Sequence, residues 1–337
     1  MTESIASIKA RLGKKLCILA HHYQADDVVR HADIAGDSLE LARRIDGLEA
    51  EHIVFCGVHF MAETAAILAR PEQKVHIPDV EASCVMAEMV PAELAEIVLH
   101  RLNSGGRRII PLTYVNSSAA VKAVCGQFGG SVCTSANAPV MLRWALEQGD
   151  GVLFMPDANL GRNTAAILGL PDREIMRLDV RGGGRLVNPP AEHIRLLLWP
   201  GLCAIHAKFF PEHIEKARAD HPGALVLVHP ECDPEIVTLA DGAGSTSYLI
   251  REVAAAPTGS TVFVGTEWNL VNRLRQRHTD KDVRPLRRVL CSNMAKITEE
   301  KLHATLQSLD HAAPVRVEHA IAAPARLALE RMLAACR

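Results

Sequence analysis

Three cysteines stand in matching local settings. Cys84 follows VHIPDVEAS, Cys203 lies within WPGLCAIH, and Cys291 comes directly after RRVL. Each is placed where an apolar stretch gives way to a turn, and ligands of open α/β folds gather at the carboxyl ends of strands. Intervals of 119 and 88 residues are not those of a zinc finger, which uses local cysteine pairs. They also lack the close triplets of ferredoxins. Brought together in space, three thiolates could hold a [4Fe–4S] cluster through three irons. The fourth iron would then be open to act as a Lewis acid. The competing reading is three buried, apolar-like thiols. Spacing leaves both open.

Polar residues recur near the same stretches. His21, His22 and Tyr23 end one apolar segment, Tyr114 and Asn116 a second, and His229 and Glu231 a third. A histidine and a carboxylate at a strand mouth can move protons. Ser38, Ser135 and Ser245-Thr246-Ser247 each open an expected helix. Capping accounts for any one of them, yet helix starts bearing hydroxyls also hold phosphate or carboxylate. GAGSTS, residues 242–247, has the best composition for an anion cradle. RGGGR, residues 181–185, is expected to be an exposed turn.

The elements that must position these groups alternate strand and helix. Strands are expected at 16–23, 52–58, 74–78, 107–115, 131–137, 151–157 and 224–231, then at TVFVG and RRVL, with helices between them; a further helix at 191–196 leads into WPGLC, and the apolar run HIRLLLW ends at Pro200 as a strand would. Such alternation predicts parallel sheets layered with helices. A repeat lies within it. Leading strand ends His21, Tyr114 and His229 are followed by helix starts Ser38, Ser135 and Thr246 at separations of 17, 21 and 17. A third column is Val58, Met155 and Gly265, and the cysteines follow 26, 48 and 26 residues later. The expected architecture is therefore α/β: three similar three-layer αβα units with short parallel sheets, related by a pseudo-threefold axis around a central cavity. Their expected bounds are 1–88, 89–206 with a helix-sized insertion around 161–196, and 207–337 with C-terminal helices.

With 337 residues, 48% hydrophobic but only 4% aromatic, the chain is an aliphatic globular protein of more than one core. A formal charge of −2 gives no reason to expect nucleic acid or an anionic membrane as partner. No apolar run is long enough to span a bilayer, and the opening MTESIASIKARLGKK lacks the core of a signal peptide. Nine cysteines in that setting fit a reducing cytoplasm better than a disulfide framework.

Taken together, HHYQADDVV, ADIAGDSLELA, IVFCGVHFMAETAAIL, TYVNSSAAVKA, CTSANA, MPDANLGRNTA, WPGLCAIH, HPEC, GAGSTSYLI, GTEWNLVNRL and CSNMAKIT resemble the quinolinate synthase family, iron–sulfur enzymes of NAD biosynthesis. The resemblance runs from about residue 20 to 300. It implies condensation of iminoaspartate with dihydroxyacetone phosphate to quinolinate, phosphate and two waters, and supply of iminoaspartate by an L-aspartate oxidase. It implies a [4Fe–4S] cluster on Cys84, Cys203 and Cys291. It places His21, Tyr23, Ser38, Tyr114, Asn116, Ser135, His206, His229, Glu231 and Thr246 in or beside the active site. Proton transfer would fall to Glu231, His229, Tyr23 and His21, and anion binding to the hydroxyls, Asn116, His21 and His206. Two other readings of the residues are an iron–sulfur hydro-lyase acting on a hydroxy acid and a non-enzymatic cluster sensor.

Overall fold

The computed structural model describes residues 3–45 and 47–336. Fifteen strands are present among the described residues, and three parallel sheets hold all but two of them. The first sheet consists of β1 (Leu16–His21), β2 (Ile34–Gly36), β3 (His52–Cys56) and β4 (Lys74–His76), in the order β2-β1-β3-β4. The second contains β5 (Ile109–Tyr114), β6 (Ser131–Cys133), β7 (Gly151–Met155), β8 (Ile175–Arg177) and β11 (Leu196–Leu198), ordered β6-β5-β7-β11-β8. Between β8 and β11 a small antiparallel ribbon is formed by β9 (Val180–Arg181) and β10 (Arg185–Leu186). The third sheet is β13-β12-β14-β15, from β12 (Leu225–Val228), β13 (Gly242–Ala243), β14 (Thr261–Gly265) and β15 (Asp282–Pro285).

Every pairing within the three sheets is parallel. Strands β1, β3, β5 and β7 are buried along their whole length. Burial of both faces requires helical cover on both sides, which is why these strands are continuous runs such as LCILAH and GVLFM rather than alternating patterns. The fold class is α/β in several αβα layers.

The chain divides into two compact units. One comprises Met1–Cys84, Pro211–Val228 and Asp241–Val317, and carries the first and third sheets. The other comprises Val85–Phe210, His229–Ala240 and Glu318–Arg337, and carries the second sheet. In that unit the C-terminal helix His319–Ala335 packs on helix Ala119–Gln127. Gly126 makes this approach possible, since a Cβ there would lie 1.9 Å from the Pro324 carbonyl oxygen.

Three expectations need correction. Residues 191–195 form a turn rather than a helix, and the apolar LLL after them is β11, inserted between β7 and β8. The insertion in the middle copy is accordingly one edge strand and a ribbon. The RGGGR glycines close that ribbon, with φ of 67° at Gly183 and 75° at Gly184. RRVL is not a strand either: β15 ends at Pro285, and an irregular segment leads from there to Cys291.

The third correction concerns register. Ala20 pairs with Cys56, Thr113 with Met155, and Val228 with Gly265. The residue equivalent to Met155 and Gly265 is therefore Cys56, two positions before Val58. The same pairings make His21, Tyr114 and His229 equivalent, each one step past its paired neighbour. Across the other edge, His21 pairs with Gly36 and Tyr114 with Cys133, while His229 lies one step past the Val228–Ala243 pair. Ser38, Ser135 and Thr246 then occupy one position, two residues beyond Gly36, Cys133 and Gly244. Tyr23, Asn116 and Glu231 likewise share a position.

Candidate functional site

The cysteine corners are built alike. Just past the third strand of each sheet a helix begins, at His59, Ala158 and Trp268. The N–H of its first residue donates to Ala82 O (2.7 Å), Gly201 O (2.9 Å) and Val289 O (2.8 Å) respectively. Two residues after each of those carbonyls stands Cys84, Cys203 or Cys291. At the middle corner the glycine of WPGLC is obligatory, because a Cβ on Gly201 would meet Pro156 O at 2.5 Å. Cys84, Cys203 and Cys291 are half-buried. Cys17, Cys56, Cys125, Cys133 and Cys232 are fully buried, and burial pushes the thiols of Cys17, Cys56 and Cys125 up to about 11, 12 and 12. Cys336, also half-buried, accepts from Asn137 Nδ2 at 3.2 Å. The ordinary core thiols are thus set apart from the matched trio. Cys84 and Cys291 belong to one unit and Cys203 to the other.

Within the second unit, four of the expected residues meet. His206 and His229 stack with ring centroids 4.4 Å apart and planes 13° from parallel. His206 Nδ1 lies 3.0 Å from Glu231 Oε2, and His229 Nδ1 lies 3.7 Å from Glu231 Oε1. The Tyr114 hydroxyl donates to the same carboxylate. All four residues are at most 4% exposed. Burial would raise the Glu231 carboxyl, but the facing His229 and His206, with the hydrogen bonds from His206 and Tyr114, hold it down to about 2. Burial, and then the facing His206, push His229 down to about 3 against the pull of Glu231. The backbone N–H of Glu231 points at His229 Nδ1 (3.4 Å), which puts the proton of the neutral ring on Nε2. Cys203, His206 and Glu231 each offer a metal-ligating atom, all within 4.8 Å of one another.

Asp157 was missed in the sequence. Fully buried, it caps its helix through Leu160 N (2.8 Å) and also accepts from Cys203 N (3.1 Å). Burial, then the neighbouring Glu231 charge, push its carboxyl well above the usual range. The acid of MPD, two past a strand end, was the available signal, repeated by the acid of GTE at 265–267.

In the first unit, His21 Nδ1 accepts from Tyr23 N (3.1 Å), the same bond seen at His229. The Tyr23 hydroxyl shares a 2.7 Å hydrogen bond with Thr266 Oγ1. Glu267, the counterpart of Asp157, is fully buried. It accepts from Asn269 N (2.7 Å) and Cys291 N (3.4 Å), and burial raises it to about 7 against those amides and Arg273.

The hydroxyl column divides. Asp37, not Ser38, caps helix Ser38–Ile45 by accepting from Leu39 N and Glu40 N, while Glu40 reaches back to Asp37 N. Ser245 caps helix Thr246–Ala255, and the glycines of GAGSTS accommodate the Tyr248 ring, which a Cβ on Gly244 would meet at 2.3 Å. Ser135 sits in the turn before its helix, and Asn137 is that helix's cap residue. Capping therefore needs none of Ser38, Ser135 and Thr246. Thr246 Oγ1 and Asn116 Oδ1 are moreover buried without a hydrogen-bond partner, the condition of groups that await a ligand or water.

The chain matches the model of the quinolinate synthetase A protein over residues 3–334. It belongs to that family. Relatives named quinolinate synthase include those of Halalkalibacterium halodurans, 46% identical over 340 residues (99% of this chain, 93% of the relative), and Nocardioides sp., 44% identical over 350 residues (99% and 89%). The one from Herpetosiphon aurantiacus is 46% identical over 346 residues (99% and 92%). Family members of this kind are enzymes, and the Cys203–His206–Glu231 set fits a metal site by donor type. Among the described residues no helix is long and apolar enough to cross a membrane.

Proposed function

We propose that the protein is a quinolinate synthase, condensing iminoaspartate with dihydroxyacetone phosphate to quinolinate, phosphate and two waters. One observation carries the reading: in a chain of this family, a buried carboxylate hydrogen-bonded by the His206 imidazole and the Tyr114 phenol lies beside Cys203. Cys84, Cys203 and Cys291 would hold a [4Fe–4S] cluster, whose open iron supplies Lewis acidity for expulsion of water. The proposal includes three equivalent corners about a pseudo-threefold axis, with unit bounds 1–88, 89–206 and 207–337. Support comes from repeated joints. Asn163 Nδ2 donates to Pro230 O and Cys232 O (2.8 and 2.9 Å), and Arg273 donates to His22 O and Gln24 O (2.9 and 2.5 Å). Both donors sit six residues past the buried acid of their helix, and their acceptors are equivalent carbonyls.

Glu231, ionised at neutral pH, is the carboxylate available to accept a proton in the site, and His206 Nδ1–H orients it. His229, neutral with its proton on Nε2, donates to a substrate oxygen or nitrogen. Tyr23, paired with Thr266, is the second proton donor, with His21 beside it. Ser38, Ser135, Thr246, Tyr114 and Asn116 bind phosphate and carboxylates, which is a use for the unpartnered Thr246 Oγ1 and Asn116 Oδ1. His206 and His21 complement the same negative charge. We place the protein in the cytoplasm, dependent on an L-aspartate oxidase for iminoaspartate, and acting on small molecules rather than on nucleic acid or membrane.

Anaerobically reconstituted protein given dihydroxyacetone phosphate and freshly generated iminoaspartate should release quinolinate and phosphate one to one. Intact iron content without quinolinate would overturn the assignment.

A further inference from the structure

We infer that Asp157 and Glu267 are positioning residues for the metal-binding cysteines, each fixing the backbone of one cysteine through its amide; this rests on the cluster reading above. Both carboxylates are fully buried and stand two residues past a third strand. Each divides its two oxygens in the same way. Asp157 gives Oδ1 to the helix amide of Leu160 (2.8 Å) and Oδ2 to the amide of Cys203 (3.1 Å). Glu267 gives Oε2 to the helix amide of Asn269 (2.7 Å) and Oε1 to the amide of Cys291 (3.4 Å). A carboxylate is the one side chain that accepts on both oxygens and donates on neither. Helix capping alone needs one acceptor and is served as well by Ser, Thr or Asn. The second oxygen of each is spent on the cysteine.

The corner of Cys84 shares the amide-to-carbonyl joint of the other two but lacks the acid. Its equivalent position is Val58, which makes no side-chain capping bond, and Cys84 leads directly into the short helix Val85–Glu88. Two of the three cysteines are thus held in loops by a buried acid, while the third leads into a short helix.

The test uses isosteric amides. Asp157→Asn and Glu267→Gln keep one oxygen for the helix cap and turn an N–H toward the cysteine N–H, breaking only the second bond. Wild type and both variants are reconstituted anaerobically, their fold is checked by circular dichroism, and loss of the absorbance near 400 nm is followed after addition of an iron chelator. Each variant should lose its cluster about tenfold faster than wild type, whereas Thr298→Ala, which removes a cap touching no cysteine, should not change the rate. Variant rates within twofold of wild type would overturn the inference. Alkylation rates of Cys203 and Cys291 in iron-free folded protein give a second readout, expected to rise in the variant of the same corner only. A variant that folds poorly at one corner leaves the other to decide. Wild-type protein that takes up no iron would count against the cluster reading itself, while alkylation would still report on the positioning.

Discussion

The loop after β1 and the loop after β12 share one backbone and differ in chemistry. In each, a histidine accepts through Nδ1 from the amide two residues on, and its carbonyl accepts from the amide three residues on. In each, a helix side chain anchors the intervening carbonyls, Arg273 for His22 and Gln24, Asn163 for Pro230 and Cys232. A further asparagine, Asn269 or Asn159, binds the carbonyl of Tyr23 or Glu231. The divergence lies in the residue between. Tyr23 is half-buried and bonded to a neutral hydroxyl, whereas Glu231 is buried against two imidazoles. A repeated frame fixes where a side chain stands, and one residue at that position decides what it does.

The largest break in this pairing should come from removing the charge of Glu231. Glu231→Gln preserves shape and is expected to lower quinolinate turnover about 10³-fold, against about tenfold to hundredfold for Tyr23→Phe. Anaerobic steady-state rates with iron content matched would measure both. Equal losses would mean that the two loops share their chemistry as well as their frame.

The anchors should differ less. Arg273→Ala strands two buried carbonyls and the Asp26 carboxylate, and is expected to cost about 3 kcal/mol. Asn163→Ala strands two carbonyls and should cost about 2 kcal/mol. Urea unfolding gives both numbers, and a near-zero cost at either position would remove that joint from the frame.

Smallest is a pH effect. His229 is depressed to about 3 and, in the first unit, His76 to about 4, in both cases by burial first. A histidine with a lowered folded pKa lends stability above its unfolded value near 6.5 and loses it as pH falls toward the folded value. Each ring therefore lowers stability by up to about 1.4 kcal/mol per pH unit as pH falls from 6.5 toward 4, opposed in sign over that range by Glu267, raised to about 7, and by Asp157. His229→Gln should remove one ring's share, so that the variant gains stability relative to wild type as pH falls from 6.5 toward 4, whatever it does to stability at pH 7. An unchanged slope would show that His229 is not kept neutral.

Much of this frame was legible because the repeat lies in residue spacing. Strand ends His21, Tyr114 and His229, and helix starts Ser38, Ser135 and Thr246, fall into columns that the sheet register reproduces. The shift at Val58 arose because apolar residues continue past the end of β3, and no sequence pattern marks where hydrogen bonding stops. The run HIRLLLW does end in a strand, β11, ahead of its break at Pro200, and only the helix expected at 191–196 is absent, residues 191–195 forming a turn. Asp157 and Glu267 went unread because each resembles an ordinary helix cap. Their second oxygen, turned to a cysteine some 24 to 46 residues away, is visible only in three dimensions. The Glu231–His206 contact is of the same kind.

The central claim is that Cys84, Cys203 and Cys291 act as one set. Iron content and absorbance near 400 nm, measured on anaerobically reconstituted Cys84→Ala, Cys203→Ala, Cys291→Ala and Cys232→Ala, test it most directly. The first three should each lose the cluster while Cys232→Ala, changing a buried thiol beside Glu231, keeps it. A full cluster in any of the first three, or its loss in Cys232→Ala alone, would contradict the assignment.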